Sequence, residues 1–149
     1  MRLVADTGGI VTALNQAEPD HRLTRAVLEA AALVVVTPLV ICEVHHVLTA
    51  GGARQAAADF LTDVAEGFYR VVNPSEQDYA TARDLVAKYG GGLHRKRQKP
   101  GSLDLTDALN VVVAAAVGTN LLVAFDQDYR VVRPLSGHPA FVLLPTDGS

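Results

Sequence analysis

Apolar residues along this chain fall into short unbroken runs separated by longer stretches with helical spacing. Leu3-Val4-Ala5, Leu33–Val36, Tyr69–Val72 and Leu121–Phe125 read as strands, and Phe141–Leu144 as a fifth. Thr7-Gly8-Gly9 turns the chain out of the first strand into a helical stretch that stops before Pro19. A second helix is predicted over Asp20–Ala32, with Leu23, Val27 and Leu28 on one side. Thr37 as N-cap and Pro38 at the first helical position open a third, which runs to about Ala50 and stops at Gly51-Gly52. Ala53–Glu66 follows as a fourth. Ser75 starts the next, with Glu76 and Asp78 in its first turn, where the helix dipole favours negative charge, and Gly90-Gly91-Gly92 ends it. Ser102–Val117 is nearly all apolar beyond Asp107, so it is expected to be central and buried, with Gly118 as its stop.

Strands that are continuous apolar runs, alternating with helices, are the mark of a parallel sheet covered on both faces. The predicted class is therefore α/β, a three-layer domain with a central sheet of four to five strands. With no internal repeat or linker visible, residues 1–149 are read as one domain. Composition adds that the core is built from Ala, Val and Leu, because hydrophobic residues make up 49% of the chain, aromatics only 5%, and Trp is absent. A net charge of −3 excludes nucleic-acid binding through a broad basic footprint. Cys42, the single cysteine, excludes an intramolecular disulfide and is expected to be a buried small hydrophobe. No signal peptide is visible, and the apolar run Ala30–Cys42 contains Pro38 and falls short of the roughly 20 residues of a membrane span. The expectation is a soluble cytoplasmic protein without membrane contact.

The chemistry lies in the acidic residues. Asp6 and Asp126 each follow a predicted strand, and ligands of open α/β sheets bind outside the carboxyl ends of the strands. Glu43 lies on the helix opened by Thr37-Pro38, on the stripe of Val40, Val44 and Val47, where a carboxylate is costly unless it has a partner. Asp104 and Asp107 are three apart on the most apolar helix and so share a face; Asp128 is a further candidate. Each has an ordinary alternative: Asp6 and Asp126 as turn or cap residues, Asp104 as a dipole partner, Asp128 as a structural residue. Carboxylates gathered at one place either take up protons or share a cation. Hard oxygen ligands without cysteine suit Mg²⁺ or Mn²⁺, which can orient water for attack on a phosphodiester.

In order and spacing, Val4-Ala5-Asp6-Thr7, Thr37-Pro38 followed by Glu43, Leu105-Thr106-Asp107-Ala108, and Ala124-Phe125-Asp126-Gln127-Asp128-Tyr129 span almost the whole chain. The pattern resembles PIN-domain ribonucleases, and among them the VapC-type toxins of toxin–antitoxin systems; Arg130-Val131-Val132-Arg133-Pro134 is similar to the tail of that family. The resemblance implies a flavodoxin-like sheet, an acidic quartet of Asp6, Glu43, Asp107 and Asp126, and dependence on Mg²⁺ or Mn²⁺. Asp6 and Asp107 would be the leading metal ligands, with Asp126 and Glu43 completing the shell or orienting water and Thr7 lending a hydroxyl. It also implies cleavage of RNA, often a tRNA or ribosomal RNA, a homodimer, and inhibition by a cognate VapB-type antitoxin.

Two departures stand out. Gly8 replaces a residue that is commonly Ser or another small polar one, and the loop from Gly90 to Ser102 is longer than usual. That loop carries Arg95, Lys96, Arg97 and Lys99 just before Asp104 and Asp107, and is expected to grip RNA phosphates; a solvated charge run is the ordinary reading. His21, His45, His46, His94 and His138 are given no site role; Glu43 and His46 form a Glu-x-x-His pair, but a di-iron bundle needs two such pairs and no strands. A phosphatase or phosphotransfer domain also places Asp after its first strand. The phosphatase usually adds a second Asp where this chain has Gly8, and a receiver needs a Lys after a late strand, where none follows Asp126. A PIN-like scaffold that binds RNA or protein without cutting is the non-enzymatic alternative.

Overall fold

In the computed structural model, which describes residues 1–90 and 102–148, five parallel strands lie in the order β3-β2-β1-β4-β5. They are β1 Arg2–Ala5, β2 Leu33–Val36, β3 Arg70–Val71, β4 Leu121–Val123 and β5 Val142–Leu144. The helices are α1 Thr7–Leu14, α2 His21–Ala30, α3 Pro38–Ala50, α4 Arg54–Ala65, α5 Glu76–Tyr89 and α6 Leu105–Ala116. The α/β class and the parallel sheet agree with the sequence pattern. No helix among the described residues is long and apolar enough to cross a membrane.

The continuous apolar strands split their side chains between two cores. Leu3, Ala5, Val34, Val36, Val123 and Leu144 face α1–α4, packing on Ile10, Val40, Val44 and Phe60. Val4, Val35, Leu122 and Leu143 face the other way, onto α5 and α6 through Ala82, Leu85, Leu109 and Val113. Period-two alternation in a strand covered on both sides requires apolar residues at every position. Each fully buried Val or Leu contributes about 1.5–3 kcal/mol.

Thr37 caps α3 through a side chain that accepts from the Val40 N–H, with Pro38 in the first turn. Ser75 and Asp78 cap α5 reciprocally. Gly118 follows α6 at φ +71°, a conformation that L side chains rarely adopt. α1 starts at Thr7, so Gly8 and Gly9 lie inside a helix rather than in a turn. The reason is close approach: a Cβ at Gly9 would stand 2.2 Å from the Val123 carbonyl oxygen. Glycine there lets the first turn of α1 rest on the end of β4.

Other differences follow from helix geometry. The buried row of α3 is Val40, Val44 and Leu48, so Val47 is 44% exposed and Glu43 lies on the flank in solvent. Cys42 is exposed, not buried, because two residues from Val40 turn it to the far side. On α2, Thr24 and Leu28 are buried, while Leu23 is 60% exposed. β4 ends at Val123 rather than Phe125, β3 and β5 are shorter than Tyr69–Val72 and Phe141–Leu144, and α6 begins at Leu105, after Asp104 as its cap.

Candidate active site

β1 pairs with β2 on one side and β4 on the other. The chain thus winds away from β1 in one direction and returns on the opposite side, leaving a crevice at the carboxyl ends of β1 and β4. Three elements begin there. Asp6 caps α1, its carboxylate accepting from the Thr7 N–H at 2.8 Å, and its own N–H donates to the Val123 carbonyl at 3.0 Å. Asp104 caps α6, accepting from the Asp107 N–H at 2.9 Å, while the Asp104 N–H reaches back to the Asp107 carboxylate. Asp126 caps a 3₁₀ turn, Gln127–Val131, accepting from the Asp128 N–H at 2.8 Å. Helix N-termini tolerate negative charge, which lets three chain segments deliver carboxylates to one crevice.

Tolerance is incomplete. Asp6 is 8% exposed and Asp107 4%. Burial raises the Asp6 pKa to about 6, opposed by the hydrogen bond from the Thr7 N–H and assisted by the negative charges of Asp126 and Asp104. Burial raises Asp107 as well, with repulsion from Asp6, Asp104 and Asp126 adding to it. None of the ion pairs among the described residues involves Asp6, Asp104, Asp107 or Asp126. Carboxylate oxygens of Asp107, Asp126 and Asp128 lie within 4.8 Å of one another. An all-oxygen, acidic donor set at this spacing, half-sunk in the protein, fits a hard divalent ion.

The sequence model of the PIN domain matches residues 3–134. The chain belongs to the PIN-domain family. Ribonuclease VapC26 of Mycobacterium tuberculosis is 26% identical to it over 145 residues, 96% of this chain and all of that protein. The crystal structure of VapC20 from the same species, described as a toxin that cleaves the sarcin-ricin loop, superposes with a TM-score of 0.69 at 18% identity, over 85% of this chain and 91% of that one. VapBC2 from Rickettsia felis, crystallised with a DNA fragment from its promoter, superposes with a TM-score of 0.61 at 15% identity, over 96% and 97% of the two chains. The two structures share the fold.

Glu43 is not on the buried stripe of α3 that the spacing predicts. It is exposed, and it accepts from the Thr7 hydroxyl through one oxygen and from the Thr106 hydroxyl through the other, each at 2.7 Å. Thr7 follows Asp6 and Thr106 precedes Asp107, so the Glu43 carboxylate clamps the chain segments that carry the two buried aspartates. The cost expected for a carboxylate on a buried stripe does not arise. Asp104 and Asp107 pair as helix cap and third helical residue rather than as neighbours on one helical face.

Behind the acidic residues lies a polar pair that sequence reasoning missed. The Asn110 amide donates to Asp6 Oδ1 at 3.2 Å and to the Tyr129 hydroxyl at 3.0 Å, and Tyr129 donates to Asp107 Oδ1 at 3.1 Å. Asn110 Oδ1 is buried with no hydrogen-bond partner among the described residues, a loss of about 1–3 kcal/mol. A signal for Asn110 was present in the sequence, since it interrupts the apolar run Ala108–Ala116 one turn after Asp107. Thr106 and Tyr129 offered none beyond adjacency to the acidic motifs. Arg95, Lys96, Arg97 and Lys99, with His94, lie outside the described residues.

Proposed function

We propose that this PIN domain is a divalent-metal-dependent endoribonuclease, the toxin half of a toxin–antitoxin pair. The observation that carries the reading is the gathering of acidic side chains at one crevice: Asp6 and Asp107 are buried, and carboxylate oxygens of Asp107, Asp126 and Asp128 lie within 4.8 Å of one another. The curated relative is named a ribonuclease, and the structural neighbours are a toxin and a toxin–antitoxin pair, which supports RNA as substrate and an antitoxin as partner.

In this reading Asp6, Asp107 and Asp126 hold Mg²⁺ or Mn²⁺, with Asp128 beside them. The ion supplies charge neutralisation on the phosphodiester and orients water for in-line attack. The residues of the chain do the rest. Glu43 ties the Thr7 segment, next to Asp6, to the Thr106 segment, next to Asp107. Asp104 fixes the start of α6 and with it the depth of Asp107. The net charge of −3 is reconciled with a polyanionic substrate because the acidic site meets phosphate through the ion. Arg95, Lys96, Arg97 and Lys99, shortly before Asp104 in the chain, supply local positive charge for the RNA backbone. Homodimerisation, implied by the same resemblance, belongs to this reading.

Purified protein with Mg²⁺ is expected to cleave cellular RNA, to stop on addition of EDTA, and to arrest growth when expressed without an antitoxin. Asp6→Asn is expected to lose both effects while keeping its circular-dichroism spectrum. Cleavage that persists in Asp6→Asn or in EDTA overturns the assignment. Replacing the four basic residues by Ala is expected to weaken RNA binding and flatten its salt dependence.

A further inference from the structure

The crevice is backed by two neutral side chains with almost no contact with solvent: Asn110 is fully buried and Tyr129 is 1% exposed. Their hydrogen bonds run in one direction. The Asn110 amide donates to Asp6 and to the Tyr129 oxygen, and Tyr129 passes its own hydrogen to Asp107. Two carboxylates from distant chain segments, the end of β1 and the first turn of α6, are thereby tied through a single connected path. The Asp6 carboxylate sets the orientation of the amide: turned over, the Asn110 carbonyl would face it oxygen to oxygen.

In that orientation Asn110 Oδ1 has no hydrogen-bond partner among the described residues. For packing alone, an apolar side chain of similar size would fill the space without stranding an acceptor. The pair thus sits where it serves the two carboxylates rather than the core. We infer that Asn110 and Tyr129 are positioning residues, holding Asp6 and Asp107 in the mutual orientation that lets both face one divalent cation. The inference rests on the metal-dependent reading of the crevice.

Titration calorimetry with Mn²⁺, together with thermal melts of the metal-free protein, tests it. Tyr129→Phe, which removes one oxygen and keeps the ring, is expected to raise the Mn²⁺ Kd about tenfold or more, with Asn110→Leu at least as severe. Both are expected to melt within a few degrees of wild type without metal. Leu143→Ala, a core change on the same side of the sheet, is expected to melt lower while keeping its Mn²⁺ affinity. Unchanged affinity in Tyr129→Phe overturns the inference and leaves the nuclease reading intact. So does an equal loss in Leu143→Ala, which would trace weak binding to lost stability. Wild-type protein that takes up no Mn²⁺ overturns both.

Discussion

A lone carboxylate and a group of carboxylates in this domain meet opposite fates. Near the C-terminus, Asp147 accepts from both terminal nitrogens of Arg130, at 2.6 and 2.8 Å, and from the Leu143 N–H at 2.8 Å. The Arg130 hydrogen bonds, helped by the Leu143 N–H, lower its pKa to about 2. At the crevice, Asp6 and Asp107 are more deeply buried, meet other carboxylates, and are pushed upward. A carboxylate that serves folding comes with its own cation and donors. Among the described residues, Asp6 and Asp107 meet hydroxyls, amides and other carboxylates and form no ion pair. That difference sets Asp147, tied into the fold, apart from the crevice acids of the proposed site.

The strongest way to break this contrast is Asp107→Asn. It is expected to abolish RNA cleavage and Mn²⁺ uptake and yet to raise the melting temperature of the metal-free protein at pH 8 by on the order of 5 °C, because a repelled, buried charge is removed. A lower melting temperature would mean that the carboxylate stabilises the fold.

Next in size is the pH dependence. Asp6 has a folded pKa above its ordinary value, so its contribution is full below about pH 4 and is lost as pH rises through about 6. The metal-free protein is expected to lose about 3 kcal/mol over that range from Asp6 alone. Asp147 has the opposite sign: its contribution is present above about pH 4 and is lost as pH falls through about 2. Urea titrations at several pH values, with and without Mg²⁺, read both limbs; the ion is expected to remove the upper one only. An upper limb insensitive to Mg²⁺ would place the titrating group elsewhere.

Thr106→Val sharpens the contrast at Glu43, which is exposed but clamped. Loss of one hydroxyl is expected to lower cleavage about tenfold and stability by less than about 1.5 kcal/mol. A double-mutant cycle with Glu43→Gln measures how far the two act together. The smallest effect belongs to Asp147→Asn. Its side chain is 27% exposed and its partner 36%, so about 1 kcal/mol of stability is expected to go, with cleavage unchanged.

The three-layer fold was legible because its causes are local. Unbroken apolar runs such as Leu33–Val36 can only be covered on both faces, and the caps at Thr37-Pro38 and Ser75 act within one helical turn. The acidic motifs were legible for the same reason, as residues that follow strands or open helices. Side-chain direction was harder to read: Glu43, Val47 and Cys42 were misjudged because a few tens of degrees around α3 separate a core position from an exposed one.

The linear pattern of residues specifies the order of strands and helices, the breaks between them, and the acidic residues at their ends. Only the tertiary structure decided which of those acids are buried together, that Asp128 joins Asp107 and Asp126, that Thr7 and Thr106 share Glu43, and that Asn110 and Tyr129 stand behind Asp6 and Asp107. The physical reason is range. Caps and periodicity depend on neighbours a few residues away. Desolvation and hydrogen bonding between side chains depend on which distant segments the sheet order β3-β2-β1-β4-β5 brings to one edge.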